Sequence, residues 1–221
     1  MASGHDLEYT AAAIIGKGAN RVCVRDRTDV NVCLKIDLPK HEKTVKNLSQ
    51  KLRRELSDRV LIFNENYIEW SAHQQLLQRL EPELLHQYFA ACLGLERVEK
   101  KLALRCELVR SDGGEIASSI YHYIHQQQPL DQAKLLAELD AFEAWLIQHD
   151  IPLFDLNSGN IVIQHIGQEL KIKCIDIKST LRSKEIIPVS YWSKTLMHRK
   201  IKRRMGRLKA LVQQKIQQKM T

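Results

Sequence analysis

The sequence has no C-x-x-C pair, no long apolar run and few acids in its last fifth. Five cysteines are present, Cys23, Cys33, Cys92, Cys106 and Cys174. The number is odd and most sit in apolar, strand-like runs. That argues against a disulfide framework and against structural zinc, and for reduced, buried thiols in the cytosol. No stretch approaches the ~20 apolar residues of a membrane-spanning helix. Met1-Ala2-Ser3-Gly4-His5-Asp6 lacks the basic and apolar regions of a signal peptide, so the expected location is cytoplasmic. What is present is a 221-residue chain with 44% hydrophobic residues, enough to build a core as one large domain or two small lobes. The formal net charge is +8, unevenly spread. From Leu181 onward there are 12 Lys and Arg against one acid, Glu185, so that segment is +11 and the remainder about −3.

The first part reads as strands and turns. Ala12–Ile15 is a short apolar run followed by Gly16-Lys17-Gly18-Ala19-Asn20. Val22–Val24 and Val32–Ile36 look like paired strands around Asp26-Arg27-Thr28-Asp29. Charged helical stretches follow, roughly Glu42–Phe63 and Glu65–Leu80; Ile68, Ala72, Leu76 and Leu80 recur at helical spacing in the second. Leu93–Val98 and Leu102–Val109 predict a second strand pair. Ile116–His125 reads as helix, and Asp131–His149 is the clearest helix, with Leu135, Leu139, Phe142, Leu146 and Ile147 on one face and Asp131 as its cap. Ile161–Ile163 and Leu170–Ile175 predict two short strands.

Chemistry concentrates between those last elements. Phe154-Asp155-Leu156-Asn157-Ser158-Gly159-Asn160 precedes one apolar strand, and a second ends in Ile175-Asp176. Asp, four residues, Asn, strand, strand–Asp is the order required by phosphoryl-transfer enzymes of the protein-kinase type. One Asp takes the acceptor hydroxyl's proton, while the Asn and the later Asp hold magnesium. The same residues also favour ordinary turns. Upstream, Lys35 lies in the apolar strand Val32-Cys33-Leu34-Lys35-Ile36, where a buried ammonium needs an anionic partner. Glu69 is the favoured helix carboxylate, with Glu65 and Glu55 as alternatives.

With this order in place, the chain resembles the protein-kinase-like fold. It is most similar to the small bacterial family called PhoP regulatory network protein YrbL, from roughly Ala12 to Thr180. The closest matches are Asp155–Asn160 with Ile175-Asp176, the Gly16–Asn20 turn, and Leu108-Val109 with Gly113. The resemblance implies an α+β, two-lobed, protein-kinase-like fold. A small N-terminal antiparallel sheet lobe would span 7–109 and a mainly helical C-terminal lobe 110–221. It implies ATP and Mg2+ as cofactors, with Asp155, Lys35 and Glu69 catalytic and Asn160 and Asp176 as metal ligands. Gly16, Lys17, Gly18, Asn20, Lys35, Glu107 and Val109 would contact the nucleotide.

Four features depart from a conventional protein kinase. Arg21 stands where a third glycine would be, and Asp155 follows Leu-Phe rather than His-Arg. Asp176 precedes Ile177-Lys178 rather than Phe-Gly, and no Ala-Pro-Glu follows. They argue against a protein substrate and fit a hydroxyl on a small molecule or envelope sugar. A non-catalytic binding or regulatory protein on the same fold is the main alternative.

Leu196–Met220 predicts a basic amphipathic helix, with Met197, Ile201, Met205, Leu208, Val212 and Ile216 at helical spacing. Three readings stand. Its stripe packs on the larger lobe with its charges solvated, or it lies on an anionic membrane surface at the inner membrane. In the third it binds nucleic acid. The scarcity of aromatics there, with only Tyr191 and Trp192 just before it, weighs against the last. His122 and His125, three apart, lack a third metal ligand and read as positions on a partly exposed helix.

Overall fold

The computed structural model of the protein describes residues 14–39, 61–98, 101–126, 130–180 and 193–217. Most of the expected helix Glu42–Phe63, including Glu55, lies outside the described residues. Only Leu61–Phe63 is described there, as a single 3-10 turn. The chain forms two compact units. One holds the described residues up to Gln74 with Ala91–Leu108; the other holds Gln75–Ala90 and the residues from Val109 on.

The first unit is built on a five-stranded antiparallel sheet of β1 (Ile14–Lys17), β2 (Arg21–Arg25), β3 (Val32–Asp37), β4 (Cys92–Val98) and β5 (Lys101–Glu107), in the order β1-β2-β3-β5-β4. Strand periodicity sorts its side chains between two faces. Val24, Leu34, Ile36 and Ala103 form an apolar cluster, joined by Val22 and Val98. On β3 the alternate residues Cys33 and Lys35 take the other face, with Cys23 opposite Lys35 and Cys106 opposite Cys33.

Helix α1 (Glu65–Leu77) follows. Asn64 caps it, its Oδ1 accepting from the N–H groups of Asn66 and Tyr67 at 2.9 and 3.1 Å. Its buried positions include the expected Ile68, Ala72 and Leu76. They also include the polar Asn66, Glu69 and His73, each no more than 1% exposed.

In the second unit α2 (Pro82–His86) leads to Tyr88 and Phe89, whose rings pack on Phe142 and Trp145 of α4 (Gln132–Gln148). Asp131 caps α4 by accepting from Lys134 N–H at 3.0 Å. The expected helix over Ile116–His125 is shorter in the structure. Ser118–Ser119 forms strand β6, and α3 covers Ile120–His125. Two influences set that boundary. Ser118 and Ser119 pair with Ile163 and Val162, and the Ser119 hydroxyl caps α3 by accepting from His122 N–H. Strand β6 joins β7 (Ile161–Ile166) and β8 (Glu169–Cys174) in a three-stranded antiparallel sheet.

The basic segment forms α5 (Lys194–Gln217). Met197, Ile201, Met205, Leu208 and Val212 are buried, while Arg199, Lys202, Arg203 and Arg207 face solvent. It packs on α4, where Lys209 bridges Asp140 and Glu143 at 2.6 and 2.7 Å. No helix among the described residues is long and apolar enough to cross a membrane.

Candidate active site

The first unit supplies a buried charge cluster. Lys35 Nζ lies 2.6 Å from Glu69 Oε1, and Arg21 Nη1 lies 2.6 Å from Glu69 Oε2. Strand register explains the triad. Cys23 is paired with Lys35, so Arg21, two residues earlier on β2, shares the face that meets α1. Arg21 also donates to Asn66 Oδ1 at 2.9 Å, and the Asn66 amide donates to the carbonyls of Lys35 and Leu102 at 3.0 and 2.8 Å. These bonds fix α1 to the sheet one turn before Glu69. Glu65, the alternative to Glu69, accepts from Asn20 Nδ2 at 2.8 Å, and its Oε2 lies 3.8 Å from Arg21 Nε.

The glycine turn is a hairpin. Gly18 N–H donates to Arg21 O at 2.8 Å, and Lys17 pairs with Val22. A Cβ at Gly16 would meet nothing within 4 Å, and one at Gly18 only Arg21 O at 3.6 Å. Neither glycine is therefore demanded by packing within the chain. At the end of β5, Glu107 exchanges backbone hydrogen bonds in the sheet, and its Oε2 accepts from Ala91 N–H at 3.0 Å. In the second unit, Val109 is buried and its carbonyl accepts from Ala117 N–H at 2.9 Å.

Four thiols lie close to the charge cluster. Cys23 and Cys33 share a hydrogen bond, and so do Cys92 and Cys106. The bond from Cys33 pulls the Cys23 thiol below its ordinary range. The same bond, then burial, pushes Cys33 up. Cys92 is pushed well up, first by its bond to Cys106 and then by burial. All five cysteines are free thiols.

The second unit holds the Asp155 loop. Helix α4 stops at Asp150, which adopts a left-handed φ of 50°, and Ile151 N–H returns to Leu146 O. Leu153, Phe154 and Leu156 are buried and anchor the loop on either side of Asp155. Asn157 organises the turn. Its Oδ1 accepts from the N–H groups of Gly159 and Asn160, both at 3.0 Å, and its amide donates to Asp155 Oδ1 at 3.1 Å. Asn160 Nδ2 donates to Asp155 O at 3.2 Å, and Ile175 N–H donates to Asn160 O at 2.8 Å. The loop thus joins Asp155, Asn160 and the residue before Asp176 in one network. Asp176 pairs with Lys178 at 3.1 Å and accepts from Lys178 N–H. Ser179 Oγ accepts from the N–H groups of Phe154 and Asp155 at 3.2 and 3.1 Å.

These oxygens suit a hard cation. Magnesium takes few carboxylates and completes its octahedron with water and phosphate. Asp176 offers a carboxylate. Asn160 spends its amide nitrogen on Asp155 O, which leaves its side-chain oxygen for a cation. His122 and His125 belong to no group of three metal-ligating residues among the described residues. His125 Nδ1 instead contacts Tyr121 O at 2.8 Å.

Residues 7–213 match the family described as PhoP regulatory network protein YrbL. The chain belongs to that family. No curated protein matches this YrbL-family chain. Among solved structures it is similar to the PknI kinase domain of Mycobacterium tuberculosis. One double-substituted form shares 14% identity at a TM-score of 0.51, covering 90% of this chain and 73% of that one. Another form of the same domain gives a TM-score of 0.44 at 14% identity, and there the chain spans 58% of the kinase domain's length. The likeness establishes a protein-kinase-like fold for the YrbL-family protein.

Arg21 and Ser179 were not legible as candidates, and Lys178 read either as a phosphate contact or as an exposed lysine. Arg21 read as a defect in a glycine loop, and only β2–β3 register turns it toward Glu69. Lys178 and Ser179 act through turns whose geometry leaves no sequence period.

Proposed function

We propose that this YrbL-family protein is an ATP- and magnesium-dependent phosphotransferase. Its acceptor would be a hydroxyl on a small molecule or envelope sugar. The observation that carries this reading is the network Asp155–Asn160–Ile175, which leads directly into Asp176. The Lys35–Glu69 pair and the two glycines that packing does not require support it.

Asp155 holds the acceptor hydroxyl and receives its proton. Asn157 and Ser179 fix the orientation of Asp155, so positioning is prepaid in the fold. Lys35, held by Glu69, offers its ammonium to the α- and β-phosphates. Gly16, Lys17, Gly18 and Asn20 border the phosphates, and Glu107 and Val109 border the base. Asn160 and Asp176 would hold magnesium, which when bound neutralises charge on the phosphates. Lys178 keeps Asp176 paired until then.

Transfer of label from γ-labelled ATP into small-molecule and envelope fractions tests this. The wild type should label at least one fraction, and Asp155→Asn should lose about 100-fold or more of that rate. Equal labelling by both proteins would remove Asp155 from the chemistry.

The outward basic face of α5 fits an anionic membrane surface better than nucleic acid, and with its apolar stripe buried the attraction would be electrostatic alone. Cosedimentation with phosphatidylserine vesicles that weakens at high salt is the expected result. Its absence at low salt removes the membrane partner.

A further inference from the structure

Cys92 and Cys106 are separated by 13 intervening residues, a spacing with no metal-site signature. The fold brings them together by a specific irregularity. Along β4, Leu95 faces Leu104 and Gly94 faces Arg105, so simple alternation would set Leu93 opposite Cys106. A bulge between Cys92 and Gly94 instead sets Cys92 opposite Cys106. Gly94 has φ of 150°, and Leu93 turns out to 51% exposure. Bulges re-aim side chains in this way. Here the result is that Cys92 joins Cys106 on the face that carries Glu69.

One Sγ from each cysteine and a carboxylate oxygen of Glu69 all lie within 4.8 Å of one another, and all three residues are buried. We propose that Glu69, Cys92 and Cys106 form a binding site for a zinc-class divalent cation. Two soft thiolates and one carboxylate oxygen form a mixed donor set that zinc, a borderline-soft cation, accepts. Tetrahedral zinc with Zn–S of about 2.3 Å needs ligand atoms roughly 3.8 Å apart, so closure asks for about an ångström of side-chain movement. Nearby His73 is already engaged, its Nε2 accepting from Cys92 N–H at 3.3 Å.

Charge permits the exchange. A divalent cation that displaces two thiol protons leaves the net charge of the cluster unchanged, so Lys35 and Arg21 face the same total as before. The site has a consequence that rests on the proposed nucleotide site. Glu69 is also the partner of Lys35, so zinc on its carboxylate would compete with Lys35 and loosen the ammonium that the nucleotide phosphates need.

Titrating chelator-treated protein with Co2+, then displacing it with Zn2+, tests the proposal without nucleotide. One equivalent should give a thiolate-to-metal charge-transfer band. Cys92→Ser and Cys106→Ser should each weaken binding by about 100-fold or more, and Cys174→Ser should not. No such band, or equal binding by all three variants, would overturn the site. Because Cys92 and Cys106 are buried and a variant can fail to fold, X-ray absorption at the zinc edge of wild-type protein provides a second arm. At least two sulfur neighbours support the site; a shell of nitrogen and oxygen alone overturns it. In zinc-loaded protein the ATP-dependent stabilisation should be reduced. Unchanged stabilisation would overturn the competition, whereas no ATP binding by zinc-free protein would overturn the nucleotide reading instead.

Discussion

Glu69 is 1% exposed and compensates two cations, which makes it the most sensitive single position in the first unit. Glu69→Gln removes the carboxylate that lies 2.6 Å from both Lys35 and Arg21 in a poorly solvated site, while Glu65 stays 3.8 Å from Arg21. Loss of one partner of a buried pair costs about 3 to 5 kcal/mol, so urea denaturation should show a destabilisation of that order. An effect below about 1 kcal/mol, the range of exposed pairs, would mean that the triad is solvated in solution. Gly16 makes the opposite prediction. Gly16→Ala meets no atom within 4 Å, so stability should hold or rise by up to about 1 kcal/mol, while ATP-dependent stabilisation falls. Equal ATP stabilisation in wild type and Gly16→Ala would show that no ligand approaches there. Lys35, Asp155, Asn160 and Asp176 stand out as candidates in the sequence because their order along the chain is itself the signal. Arg21 and the Cys92–Cys106 pair could not. Their positions depend on strand register and on one bulge, and neither leaves a periodic mark.

Helices α4 and α5 were legible because their buried faces are apolar at a clean helical spacing. Helix α1 was less so, because Asn66, Glu69 and His73 interrupt the apolar positions with buried polar ones. The start of α3 was misplaced because Ser118 and Ser119 answer to a strand partner more than 40 residues away. For α5, packing makes a sharp prediction. Ile201 is fully buried, so Ile201→Ala should cost about 2 to 5 kcal/mol by denaturant melting. Arg203→Ala, on the solvent side, should stay within about 0.5 kcal/mol. Comparable small effects would mean that the stripe does not pack in solution.

The start of α5 also meets the end of α4. Asp150 accepts from Lys194 and contacts His198 Nε2 at 2.9 Å, and first the Lys194 hydrogen bond, then the one with His198, hold its carboxyl below the ordinary carboxylate range. A depressed folded pKa gives stability that is present above the unfolded value of about 3.9 and is lost as pH falls through the folded value. Asp150→Asn suits the left-handed backbone, so its melting deficit should be full near pH 7 and shrink as pH falls below about 3.9. A deficit of the same size at low pH as at pH 7 would assign the effect to something other than the charge.

At the scale of the molecule, the kinase-like architecture could be read from a strand-rich first part, a long helix and the Asp155 loop. The unit boundary could not be read in full. Gln75–Ala90 belongs with the second unit because Tyr88 and Phe89 pack on Phe142 and Trp145, and Ala90 N–H and Tyr88 O bond to Cys174. Pro82 marks a turn in the sequence but says nothing about which core the following aromatics join. The proposed phosphotransfer needs nucleotide held through Lys35 and metal held through Asp176. Its most direct test is thermal melting of wild type and Asp176→Asn with ATP, with and without magnesium. Binding to the native state alone stabilises by mass action, so ATP at about 100 times its Kd should raise Tm by roughly 5 to 10 °C. The account predicts that rise for the wild type with magnesium and its loss in Asp176→Asn. No rise in the wild type at millimolar Mg2+ and ATP, or an equal rise in both proteins, would contradict it.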